Sequence, residues 1–214
     1  MHRLPLLALL SGLVFTVPVE AQTPRVSLHV GLGPDSFPMH ARQARVQVRN
    51  LHADKRWSGA LEQLFPIRLT FRLEIWRSRE GWIDEFQRAT EWSTVVQREP
   101  LQDQYRVTLL LLSGPQEFRF GTRGELARWL SYTNEVEARP EGTGTFYYTV
   151  NLVITALSDE DMEALERFLA GQPAAPAAPE NNSLGKRIRQ FLLRVAGLPM
   201  EELEERTPSF RVSP

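Results

Sequence analysis

Ile67, Leu69, Phe71, Leu73 and Ile75 alternate with Arg68, Thr70, Arg72, Glu74 and Trp76, ten residues with no break in the pattern. A period of two places all five apolar side chains on one side of an extended chain. One face is therefore committed to a core and the other to water, the habit of antiparallel sheets. A slip of one residue would turn every apolar side chain outward, so this strand sets the register of its neighbours.

Weaker versions of the same signal recur. Val26, Leu28, Val30 and Leu32 predict one strand, and Val46 and Val48 another. Trp92 to Arg98 and Gln104 to Leu112 predict a hairpin, closed through residues 99–103. Leu109 to Leu112 is apolar on both faces, which predicts cover on both sides of that end. Phe118 and Phe120 predict a short strand, and Thr145 to Leu157 a long one. Between them lie helical signals. Ser58 is the expected cap of a turn that buries Leu61, Leu64 and Phe65 before Pro66 ends it. Thr122 and Glu125 have capping-box spacing ahead of Leu126, Trp129 and Leu130. Ser158 and Asp161 open a second box, with Met162, Leu165, Phe168 and Leu169 inward as far as Gly171. The expected class is mainly β with helices: an antiparallel β-sandwich-like or curved sheet with two packed helices.

Residues 1–21 read as a signal peptide. Arg3 precedes an apolar run from Leu4 to Val17, and Val19 and Ala21 are small residues where a peptidase would read. The run is shorter than the roughly 20 residues that span a bilayer, so cleavage after Ala21 is expected in place of anchoring. That predicts export to the periplasm or cell envelope. The chain has no cysteine, so neither a disulfide nor a lipidated cysteine is available after export. A net charge of −1 favours no nucleic-acid partner, and nothing past Val17 is apolar for long enough to cross a membrane. Residues 22–171 form the expected β-rich domain, and 172–183 a Pro/Ala linker too poor in large side chains to pack. Residues 184–214 are expected to be an amphipathic helix and an acidic tail.

Candidate chemistry is sparse. His29, His40 and His52, with Asp35 and Asp54, lack the close spacing that prebuilds a metal site. Ser183 and Lys186 match a serine-x-x-lysine pattern only by following a linker, without the buried helix start that chemistry needs. Asp84, Glu85 and Glu91 lie near Trp82, as a pair of carboxylates beside a sugar-stacking ring would. The same residues also suit an ordinary turn whose aromatics are buried. No catalytic residue, metal or cofactor is assigned.

The sharpest feature lies beyond the linker. Leu184, Ile188, Phe191, Leu192 and Val195 recur at helical spacing, with Lys186, Arg187, Arg189 and Arg194 around them. A tethered basic amphipathic helix suits an anionic membrane surface or an envelope protein as partner. The contact residues would be Lys186, Arg187, Ile188, Arg189, Phe191, Leu192 and Arg194. Equally, such a helix can fold back over an apolar sheet face, and the acids at Glu201, Glu202, Glu204 and Glu205 subtract from membrane attraction. The expected function is an exported binding or scaffolding domain. A carrier of a hydrophobic ligand and a hydrolase with a carboxylate or histidine site are the alternatives.

Phe65-Pro66-Ile67-Arg68-Leu69-Thr70-Phe71-Arg72-Leu73-Glu74-Ile75-Trp76-Arg77 forms a distinctive block, followed by Glu91-Trp92, Pro100-Leu101, Asp103 and Tyr105-Arg106-Val107. With the leader and the late Tyr147-Tyr148 strand, it resembles domain-of-unknown-function family 4390, a set of exported bacterial proteins. The resemblance covers roughly Val26 to Gly171. It implies an envelope location and carries no functional residue across.

Overall fold

The computed structural model describes residues 24–34, 42–111, 113–157 and 199–213, together with Glu163 and Arg167. The leader, Asp35, His40, the second capping box, the linker and the amphipathic segment with Lys186, Arg187, Ile188, Arg189, Phe191, Leu192 and Arg194 lie outside these residues.

In chain order the elements are β1 (Ser27–Leu32), β2 (Ala44–Arg49), α1 (Lys55–Glu62), β3 (Ile67–Ser78), β4 (Glu85–Glu99), β5 (Gln104–Leu111), β6 (Gly114–Phe120), α2 (Arg123–Leu130), β7 (Asn134–Val136), β8 (Gly144–Ala156), β9 (Met200–Arg206) and β10 (Phe210–Val212). The fold is mainly β. A seven-stranded sheet runs β10-β8-β3-β4-β5-β6, with β9 also on β8, and a three-stranded sheet runs β1-β2-β7. All pairings are antiparallel and neither sheet closes into a barrel.

The long alternating strand is the centre of the large sheet. β3 pairs with β8 from Ile67↔Ala156 to Ser78↔Thr145, and with β4 on its other side. Its five apolar side chains are buried, Ile67, Leu73 and Ile75 completely. Each contributes about 1.5–3 kcal/mol by leaving water. Ala44, Val46 and Val48 of β2, with Val26 and Leu28, bury their apolar face in the same core as β3 and β8. The arrangement is a sandwich with unequal layers.

Three local expectations change. Helix α1 begins earlier than the turn read from Ser58, because Asp54 caps it by accepting the Arg56 N–H. Leu64 is not buried: its φ of 66° turns the chain into β3 and leaves the side chain outside, 48% exposed. The acidic run is not a tail. Met200–Arg206 hydrogen-bonds along β8 as β9, with Leu203 half-buried between glutamates. An edge strand rich in charge resists pairing with other chains.

β9 and β10 share one edge of β8 across a bulge. Thr149↔Arg206 and Phe146↔Phe210 are paired, so three steps along β8 face four along its neighbour. Thr207 fills the gap: its N–H donates to the Tyr148 carbonyl at 2.9 Å, and its Oγ1 accepts the Tyr148 N–H at 3.0 Å. Pro208 follows, where no ladder donor is needed. Because the Ala156 N–H donates to the Pro199 carbonyl at 3.2 Å, the connection 158–198 leaves and rejoins the large sheet at adjacent positions.

Candidate functional site

Seven strands lie under three, and among the described residues the mismatch leaves part of the inner face of the large sheet uncovered. β7 has only three residues, paired Ala44↔Val136 to Val46↔Asn134, so the small sheet ends short of β5 and β6. Helix α2 covers the far side. Its capping box at Thr122 and Glu125 is present, Leu126 and Leu130 are buried, and Trp129 packs on Phe118 and Phe120 with ring centroids 5.4 and 5.8 Å away. Between β7 and α2 remains a cleft of about 470 Å³.

The floor of the cleft follows from strand alternation. Leu69, Thr94 and Leu109 lie in one row across β3, β4 and β5, with Phe71 and Trp92 in the next. Phe71 and Trp92 stack with centroids 4.9 Å apart and planes 5° from parallel. Val46, Val48 and Val136 line the cleft from the small sheet, Trp129 and Leu130 from α2, and Leu111 from β5. Thr90, Ser113, Asn134, Glu135 and Glu137 supply the polar part of the lining. Glu91 also borders it, but its carboxylate is held by Arg72 at 3.0 Å. Glu135 is held by Arg45 at 2.5 Å. The lining is thus mostly apolar, with a few polar groups, the composition of a small-molecule site. Its volume falls within the roughly 300–1,000 Å³ of ligand pockets.

Leu109 and Leu111, expected to be covered on both sides, are only half-buried and belong to this cleft. A strand end apolar on both faces was the available signal for an unfilled inner wall. β7 and the reach of α2 had no equivalent mark in the sequence.

The other candidates among the described residues do not converge there. His29 is exposed on β1, and His52 precedes α1, its carbonyl accepting the Arg123 guanidinium. No group of three metal-ligating side chains occurs among the described residues. The acids near Trp82 are engaged separately: Asp84 accepts the Tyr147 hydroxyl at 2.8 Å, Glu85 pairs with Arg79, and Glu91 with Arg72. Trp82 itself is 82% exposed, so the turn does not bury its aromatic.

Titration shifts have separate causes. The Arg56 guanidinium holds Asp54 below the usual carboxylate range, and Asp54 raises Arg56 in turn. Glu74 and then Glu91 raise Arg72. Tyr147's hydroxyl, and then the Arg79 N–H, lower Asp84. Burial raises Tyr148, and burial with the bond to Asp84 raises Tyr147. None of these groups lines the cleft.

Comparison of the chain with protein-family models, with curated proteins and with solved structures returns no match.

Proposed function

We propose that the chain is an exported binding domain that holds an apolar small molecule in the cleft between its sheets. The observation that carries this is the cleft of about 470 Å³ walled by Phe71, Trp92, Leu109, Leu111, Trp129 and Val136. An open cleft of this size with a mostly apolar lining exposes apolar area that a ligand would remove from water. The stacked Phe71–Trp92 pair offers a flat floor, and Thr90 and Asn134 can orient a polar end. The leader, the envelope location and the kinship with the exported family belong to the same proposal.

N-phenylnaphthylamine, a neutral apolar fluorophore, tests it. Bound in the cleft it would lie against Trp92 and Trp129, accept their emission and brighten. Leu109→Trp and Val136→Trp fill the space from opposite walls and are expected to weaken binding by about tenfold or more, with melting little changed. Failure of the wild-type chain to bind, or equal binding by both filled variants, would refute the proposal.

A further inference from the structure

We propose that the tip of the β3–β4 hairpin is a finger that inserts into a lipid bilayer. β3 and β4 reverse through residues 79–84, and the tip presents Trp82 and Ile83 side by side, 82% and 91% exposed. Phe86, 45% exposed, stands behind them. Single exposed apolar residues are ordinary, but two adjacent bulky ones at the end of a hairpin are not.

The tip is held in this shape. The Trp82 N–H donates to the Arg79 carbonyl at 3.1 Å, and Gly81 takes a φ of 76° that a side chain would resist. Asp84 accepts the Arg79 N–H at 3.2 Å through one oxygen and the Tyr147 hydroxyl at 2.8 Å through the other. Arg79 pairs with Glu85 across the base. A loop free to collapse would lay Trp82 back on the aromatic pair Trp76 and Phe86; this one directs it away from the sheet.

Shape and charge select the occupant. A stable protein interface takes about 800 Å² from each partner, more than two side chains on a convex tip can offer. A bilayer is fluid and needs no matching surface, and tryptophan favours its interface, with an apolar ring and one N–H donor. Across 77–88 the charges cancel, Arg77, Arg79 and Arg88 against Glu80, Asp84 and Glu85. Insertion is therefore apolar and needs no anionic lipid. This inference is independent of the cleft, and it names residues other than those of the basic segment 186–194.

The test is sedimentation of the full chain with phosphatidylcholine vesicles, with and without added phosphatidylglycerol. The wild-type chain is expected to pellet with neutral vesicles, and the double variant Trp82→Ser/Ile83→Ser to lose about tenfold or more in partitioning. Both side chains are exposed, so the variant should melt as the wild type does, and its melting curve is recorded alongside. Brominated lipid should quench more wild-type emission than variant emission. Equal pelleting of the two chains, or pelleting only with phosphatidylglycerol and without dependence on Trp82, would overturn the proposal. So would self-association that the double substitution abolishes in the absence of binding to neutral lipid.

Discussion

Asp54 joins three parts of the chain that are distant in sequence, and its removal has a calculable cost. One oxygen accepts the Arg56 N–H at 3.0 Å and so caps α1; the other accepts the Val26 N–H at 3.2 Å at the entry to β1. Arg56 lies against both oxygens and reaches Glu201 on β9 at 2.7 Å. In Asp54→Ala the lost cap costs about 1 kcal/mol. The buried Val26 N–H, left without an acceptor, costs about 1–3 kcal/mol more. The pair with Arg56, whose side chain is 43% exposed, adds about 0.5 kcal/mol after screening. The total is about 2.5–4.5 kcal/mol, or roughly 5–18 °C in melting temperature for a chain of this size.

Asp54→Asn discriminates this account from a simple loss of packing. Each oxygen serves a different backbone donor, so an amide can satisfy only one and turns its NH2 toward the other. Asn should recover the cap alone and remain about 1.5–3.5 kcal/mol below wild type. The Asp54 carboxyl is lowered from its ordinary value of 3.8 in the folded chain. A depressed carboxyl contributes stability that is complete above the unfolded value and lost as pH falls through the folded one. The difference between wild type and Asp54→Asn should therefore be full at neutral pH and shrink below about pH 4. Urea denaturation at a series of pH values measures it. Wild-type stability in Asp54→Asn at neutral pH, or a difference unchanged into acid, would refute the two-acceptor scheme.

Three further outcomes follow from single contacts. Tyr148→Phe removes a buried hydroxyl 2.8 Å from the Arg42 carbonyl and 3.0 Å from that of Ala138; urea unfolding should show a loss of about 1 kcal/mol. Gly144→Ala places a Cβ 3.1 Å from the Arg77 Nε at a φ of 141°, so a loss of about 1–3 kcal/mol is expected by the same measurement. Trp129→Ala removes a half-buried wall of the cleft; naphthyl binding should weaken while unfolding shows a cost of about 2 kcal/mol, below the range for a fully buried tryptophan.

Legibility divided along a physical line. β3, β8 and the capping box of α2 are written in local patterns, a period of two or a four-residue box, and they stand where the sequence predicts. β9 is not. Met200–Arg206 carries five charges in seven residues and becomes a strand only because β8 offers an open edge to it. Its inward half-buried Leu203 is too small a signal to outweigh the glutamates. β7 fails for the same reason, since three residues pair with β2 through contacts supplied by the rest of the fold. Helix α1 starts before the Ser58 cap that the sequence predicts, because Asp54 is specified as much by the distant Val26 N–H as by the helix it caps.

The cleft belongs to the second class. No residue in it is unusual: Leu69, Phe71, Trp92 and Leu109 are the apolar positions that any sheet interior would use. The space arises from a count of strands, because a layer of three cannot cover a layer of seven and α2 reaches only part of the remainder. Alternation states which side chains point inward but not whether anything meets them there. Leu109 and Leu111 show the difference, being inward by register yet only half-buried. The proposed site therefore lies in the mismatch between layers and not in any one of its floor side chains.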